Sequence, residues 1–182
     1  ITGVTNTVVT VTAQFSSDSV WCEFSRDKLN WEEYIGGIEF SENGIVYFRS
    51  ADAAGNYSEI TGYSVQNIDK IPPEKPKVMA DVTDITNQNV TVTAEFGDEA
   101  VVKEFSYDQE SWQIYTNGVE VSENRIVYFR SQDAIGNCSE TVAYKVNNID
   151  KAAPGVPENI NVAAKDKKTE LTWNSVVSHN NG

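Results

Sequence analysis

Ile45-Val46-Tyr47-Phe48-Arg49-Ser50-Ala51-Asp52-Ala53-Ala54-Gly55-Asn56 recurs almost unchanged as Ile126-Val127-Tyr128-Phe129-Arg130-Ser131-Gln132-Asp133-Ala134-Ile135-Gly136-Asn137. Each run is apolar, β-branched and aromatic up to an Asp-x-x-Gly-Asn turn, the pattern of a strand that ends in a tight reversal. An offset of about 81 residues aligns Thr2–Pro76 with Thr83–Pro157 without a gap, with roughly half of the positions identical. The chain is therefore a tandem array of two modules with a remainder.

The segments around the repeated run read as further strands. Val9, Val11, Ala13 and Phe15 alternate with polar residues, as do Val90, Val92, Ala94 and Phe96, which puts each set on one face of a half-buried strand. A second strand starts at Val20 or Val101, and Val20 with Phe24, or Val101 with Phe105, is expected to face inward. Trp31 and Trp112 are expected to pack over the core, given the area an indole buries. Ile38–Phe40 and Val119–Val121 read as a short strand, and a last one carries Tyr63 and Val65, matched by Tyr144 and Val146. In the repeated run, phasing back from Asp52 favours Val46 and Phe48 inside and Arg49 outside, although alternation alone leaves both faces open. No segment keeps a helical period. Each module is all-β, with about seven short strands, the pattern of a two-sheet sandwich.

The expected division is 1–71 for the first repeat, 72–81 for a proline-containing linker, 82–152 for the second repeat and 153–182 for a linker with an incomplete further segment. Prolines at 72, 73 and 76 make the joint extended and stiff. In the remainder, Leu171-Thr172-Trp173 after an apolar alternation resembles the opening strands of a fibronectin type III domain.

Composition excludes several function classes. The 182 residues carry 14 basic and 27 acidic side chains, a formal net charge of -13, which argues against nucleic acid because phosphate contacts need clustered Lys and Arg. No apolar run is long enough to span a bilayer, so no membrane insertion by these residues is expected. Cys22 aligns with Lys103 and Cys138 with Tyr57, so the thiols do not repeat with the modules and read as incidental rather than as a disulfide framework. The single histidine, His179, sits in the tail, and no Ser-His-Asp, Cys-His or zinc set can be assembled within a repeat. No catalytic residue, and no enzymatic activity of this chain, is expected.

Two sets of residues are candidates for binding. Asp52, Asn56, Asp133 and Asn137 are oxygen-bearing side chains around the turns, and Asp69 and Asp150 lie at the joints, an arrangement that suits calcium. The same residue types are those a tight turn uses for its own backbone, so the two readings compete. Calcium is the one cofactor to consider; none other is expected. Trp21, whose counterpart is Val102, is a candidate for stacking on a sugar ring.

The motif Tyr47-Phe48-Arg49-Ser50-x-Asp52-Ala53-x-Gly55-Asn56-x-Ser58, with the Asn67-Ile68-Asp69-Lys70 joint, resembles the bacterial immunoglobulin-like repeats of long surface proteins, adhesins and secreted multidomain enzymes. The resemblance spans both repeats. It implies two immunoglobulin-like Greek-key sandwiches used as extracellular spacers, at a cell surface or in a secreted protein, whose partners are neighbouring domains of the same polypeptide. It also implies an alternative, an adhesin or carbohydrate-binding module that recognises a glycan or host surface protein through loops or exposed aromatics.

Overall fold

A computed structural model describes residues 3–174, with fifteen strands and no helix among them. His179 lies outside the described residues. The chain forms two compact units, built chiefly on residues 1–73 and 74–182.

In the first repeat, β1 (Val9–Val11) pairs with β4 (Ile38–Phe40), and a four-stranded antiparallel sheet has the order β3 (Glu32–Glu33), β2 (Trp21–Ser25), β5 (Gly44–Ala51), β6 (Thr61–Val65). Alternation dictates what these sheets bury. Val9, Val11, Ile38 and Phe40 from one sheet meet Val46, Phe48 and Val65 from the other, so the core is the space between the sheets, as in a sandwich. The inward face of the repeated run is thus the Val46 and Phe48 face. Ala13, Phe15, Phe24 and Tyr34 close the core, and the Tyr34 hydroxyl accepts the Ala13 N–H at 3.0 Å.

The second repeat follows the same plan with one addition. β7 (Lys77–Ala80), β8 (Val90–Glu95) and β11 (Val119–Val121) make a three-stranded sheet in the order β11-β8-β7. Opposite it lies the sheet β10 (Gln113–Ile114), β9 (Val102–Ser106), β12 (Arg125–Gln132), β13 (Val142–Val146). The chain crosses between the two sheets from β8 to β9, from β10 to β11 and from β11 to β12, the sheet-to-sheet crossings of a Greek-key sandwich. Val90, Val92, Val119, Val121, Val127, Phe129 and Val146 form its core.

Several expectations are corrected. Residues 77–80, read as linker, form β7, because Val78 and Ala80 find an apolar core to cover. Val20 and Val101 are exposed, since each precedes its strand, while Phe24 and Phe105 do pack on the cores. Trp31 and Trp112 are only half-buried and belong to neither core. Their indole N–H groups donate to the Lys28 and Gln109 carbonyls at 3.2 and 3.0 Å. Tyr63 is exposed, whereas its counterpart Tyr144 packs on the second core.

The Asn-Ile-Asp joint also proves to be part of each module. Ile68 and Ile149 are buried core residues. Around Ile68, the Thr5 N–H donates to the Asn67 carbonyl at 2.9 Å and the Asp69 N–H to the Thr5 carbonyl at 2.8 Å, a parallel bridge repeated by Thr86 with Asn148 and Asp150.

In the remainder, β14 (Asn161–Lys165) and β15 (Lys168–Thr172) form a hairpin around Asp166-Lys167, both at positive φ (47° and 67°). That is the two-residue turn whose twist suits a hairpin. Val162, Leu171 and Trp173 stay exposed, because a lone two-stranded ribbon encloses no core.

Candidate binding face

The outer face of the first repeat's four-stranded sheet collects its conspicuous aromatics. Trp21 on β2 lies directly opposite Ala51 on β5, and Ala51 is bridged on its other side to Tyr57. Partners across antiparallel strands share a face, so Trp21, Ala51 and Tyr57 form one row. The two rings are 54% and 59% exposed, while the small alanine between them is buried.

Beside this row Arg49 is fixed on three sides. Its Nε donates to Glu23 Oε2 at 2.7 Å, and its guanidinium carbon lies 4.0 Å from the Trp31 ring centre and 4.5 Å from that of Tyr57. A planar, weakly hydrated guanidinium stacks in this way while its stem covers the sheet. Lys28 Nζ lies 4.4 Å over the Tyr47 ring on the same sheet. The arrangement offers exposed aromatic surface flanked by a fixed ion pair.

The second repeat keeps the support and loses the row. Arg130 pairs with Glu104 at 2.8 Å and lies 3.9 Å from the Trp112 ring centre. Val102, Gln132 and Cys138 stand where the first repeat has Trp21, Ala51 and Tyr57. Both cysteines are free thiols. The sequence reading singled out Trp21 and missed Tyr57 and the Trp31–Arg49 stack. The signal was the simultaneous loss of Trp21 and Tyr57 from the copy, and only strand register places those two positions in one row.

The acidic residues named for calcium are placed as follows. Asp52 Oδ1 accepts the Ala54 and Asn56 amides, each at 2.9 Å, and Asn56 Nδ2 donates to Asp52 Oδ2 at 2.9 Å. Asp133 repeats this with Ile135 at 2.9 Å and with Asn137 at 2.8 and 2.9 Å. Both asparagines thus turn their amide nitrogens, not their oxygens, to the aspartate. Asp69 and Asp150 each accept a backbone amide two residues on, from Ile71 and Ala152 at 2.9 Å. Gly55 and Gly136 supply the positive φ of the turn (87° and 90°). Among the described residues no group of three or more His, Cys, Asp or Glu is gathered as a metal site.

A further pair of turns opens at Asp27 and Asp108, where the sequence places turn residues ahead of Trp31 and Trp112. Asp27 receives the Leu29 and Asn30 amides at 2.8 Å each, the Asn30 side chain at 2.7 Å and the Ser25 hydroxyl at 2.9 Å. The Asn30 and Leu29 amides hold its carboxyl well below the usual carboxylate range. Asp108 is brought down to about 2, first by the Ser111 and Glu110 amides. Asp52 is lowered by the Asn56 side chain and then its amide. For Asp133, burial pushes upward, but the Asn137 amide and side chain outweigh it and the carboxyl is lowered.

No family model matches the chain. No curated protein matches it either. Among solved structures, the chain is similar to the fibronectin(III)-like modules of CbhA from Clostridium thermocellum, with 14% identity and a TM-score of 0.33 over 82% of this chain and 89% of that one.

Proposed function

We propose that the two sandwiches are non-catalytic, load-bearing spacer modules of an extracellular surface or secreted multidomain protein, stiffly linked so as to present a functional domain elsewhere in the polypeptide. The observation that supports this reading is the parallel bridge between the first and last segments of each module, Thr5 with Ile68 and Thr86 with Ile149. Parallel segments that enter and leave a module are pulled in opposite directions along their length when the chain is stretched, so their bonds are loaded in shear and must break together. The partners in this reading are neighbouring domains, and no cation is required.

A second reading is favoured by one feature, the Trp21–Ala51–Tyr57 row that only the first repeat carries. In that case the first repeat is a carbohydrate-binding or adhesive module and the second its support.

Binding of the purified chain to an array of glycans and matrix proteins, in calcium and again in chelator, separates the two. Silence in both buffers is expected. A saturable hit abolished by Trp21→Ala would replace the spacer reading with the second one.

A further inference from the structure

In an Asn-Gly dipeptide the asparagine side chain is open to attack by the backbone nitrogen that follows it, because glycine has no Cβ to crowd that nitrogen. Among the described residues the dipeptide occurs twice, as Asn43-Gly44 and as Asn117-Gly118. The two do not correspond: the counterpart of Asn43-Gly44 is Asn124-Arg125, and that of Asn117-Gly118 is Gly36-Gly37. Both asparagines are exposed, so access of solvent does not separate them. What separates them is how each is held.

Asn43 is restrained at the atoms the reaction uses. Its Nδ2 donates to the Ile68 carbonyl at 2.8 Å and its Oδ1 accepts the Ile68 N–H at 2.9 Å, which ties the carboxamide to a buried residue. Gly44 opens β5 opposite Val65 of β6. The Ser50 carbonyl accepts the Ser58 N–H at 2.8 Å, and alternation along β5 turns the Gly44 N–H to the same side, into the ladder with β6. The attacking nitrogen is therefore engaged, and the carbon it would reach cannot swing toward it.

Asn117 has neither restraint. It lies in the connection between β10 and β11, outside any strand, and its side chain makes no hydrogen bond among the described residues. The Thr91 carbonyl accepts the Asp81 N–H at 3.0 Å, so Val92, one residue on, directs its backbone bonds to Val119, its partner on β11. Alternation then turns the Gly118 N–H away from β8. Close packing fixes Gly118 as glycine, since a Cβ there would lie 2.9 Å from Thr91 Cγ2. The fold thus demands the residue that makes the dipeptide labile, and Asn117 stands beside it where the first repeat has a second glycine.

We propose that Asn117 is a site of spontaneous covalent modification in the native chain, and that Asn43 carries the same chemistry locked until the first module opens. Hydroxide removes the Gly118 amide proton and the nitrogen attacks Asn117 Cγ. The N–Cγ bond forms, the Cγ–Nδ2 bond breaks, and Nδ2 takes a proton from water and leaves as ammonia. Water then adds to one of the two carbonyls of the cyclic imide and opens it, giving aspartate or isoaspartate. A neutral amide becomes a carboxylate, and the isoaspartate form lengthens the β10–β11 connection by one backbone carbon. At Asn43 the same change sets an oxygen against the Ile68 carbonyl in place of a donor, so a module modified while open refolds without that tie. None of this depends on the spacer reading.

The test incubates the purified full chain in mildly alkaline buffer, folded and in urea, and follows both sites by peptide mapping, with isoaspartate read by enzymatic carboxyl methylation. In the folded chain Asn117 is expected to convert at least about tenfold faster than Asn43, the protection given by two hydrogen bonds. In urea the two rates should converge, because the hold on Asn43 is lost with the fold. Ile68→Val, which thins the packing beneath that hold, should speed conversion of Asn43 and leave Asn117 unchanged. Equal rates in the folded chain, conversion of Asn117 only in urea, or an Asn43 rate that neither urea nor Ile68→Val raises would overturn the proposal.

Discussion

Asn43 holds Ile68 by both of its backbone polar groups: the Asn43 Nδ2 donates to the Ile68 carbonyl at 2.8 Å and the Asn43 Oδ1 accepts the Ile68 N–H at 2.9 Å. Asn124 does the same for Ile149, at 3.0 and 2.9 Å. The Thr5 bridge secures the neighbours of Ile68 from another side, so the buried isoleucine cannot leave the core without breaking both ties. Asn43→Ala leaves a half-buried amide and carbonyl without these partners, at a cost of about 1–3 kcal/mol. Ile68→Ala should cost about 2–5 kcal/mol through lost burial and a cavity. In calorimetry both changes are expected to lower the transition of the first module and leave the second in place.

Acid should loosen the modules at their Asp-centred turns. The carboxyls of Asp27, Asp52, Asp108 and Asp133 are lowered from a starting value of 3.8, so their folded-state values lie below their unfolded ones. The stability they contribute is therefore fully present above about pH 4 and is lost as pH falls through the folded values, about 2 for Asp108. Thermal unfolding between pH 7 and pH 2 is expected to show this loss. Asp108→Asn should flatten the pH dependence of the second module, and an unchanged slope would refute the assignment.

Calcium is expected to make no difference to folding, because the aspartate oxygens of the two Asp-x-x-Gly-Asn turns are already taken by amides. Asp52→Ala should lower the unfolding temperature by the same amount in calcium and in chelator. A calcium-dependent difference would reinstate the ion at that turn.

Arg49→Lys keeps the charge and discards the planar stack. Arg49 touches Trp31 and Tyr57, whereas Arg130 stacks on Trp112 with Cys138 at the Tyr57 position. The expected loss at Arg49 is about 1–2 kcal/mol, and at Arg130 about 0.5–1 kcal/mol. Equal losses in urea denaturation would show that Tyr57 contributes nothing.

The tandem plan and the faces of β1 and β8 were legible because alternation with polar residues reports burial directly, and Val9, Val11, Val90 and Val92 are core residues. In β5 and β12 alternation left both faces open, and only the phase counted back from Asp52 favoured Val46 and Phe48, which are buried. What failed has a common cause, namely partners remote in sequence. Trp31 was read as core from its size alone, yet its environment is set by Arg49 across the sheet. Residues 77–80 looked like linker because Val78 and Ala80 are too few to declare a strand until an open edge at β8 pairs with them. The candidate site was half legible: Trp21 stood out against Val102, but Tyr57 joins it only through the register of Ala51.

Pulling the chain from its two ends in a single-molecule force experiment tests the spacer reading most directly. Two discrete unfolding events are expected, each releasing about 23 nm of chain for the residues between Thr5 and Asp69 or between Thr86 and Asp150, less the few nanometres a folded module already spans. Asn43→Ala should lower the force of one event and not the other. A gradual extension with no discrete event, or a single event at the force of an unstructured chain, would contradict the claim that these modules bear load.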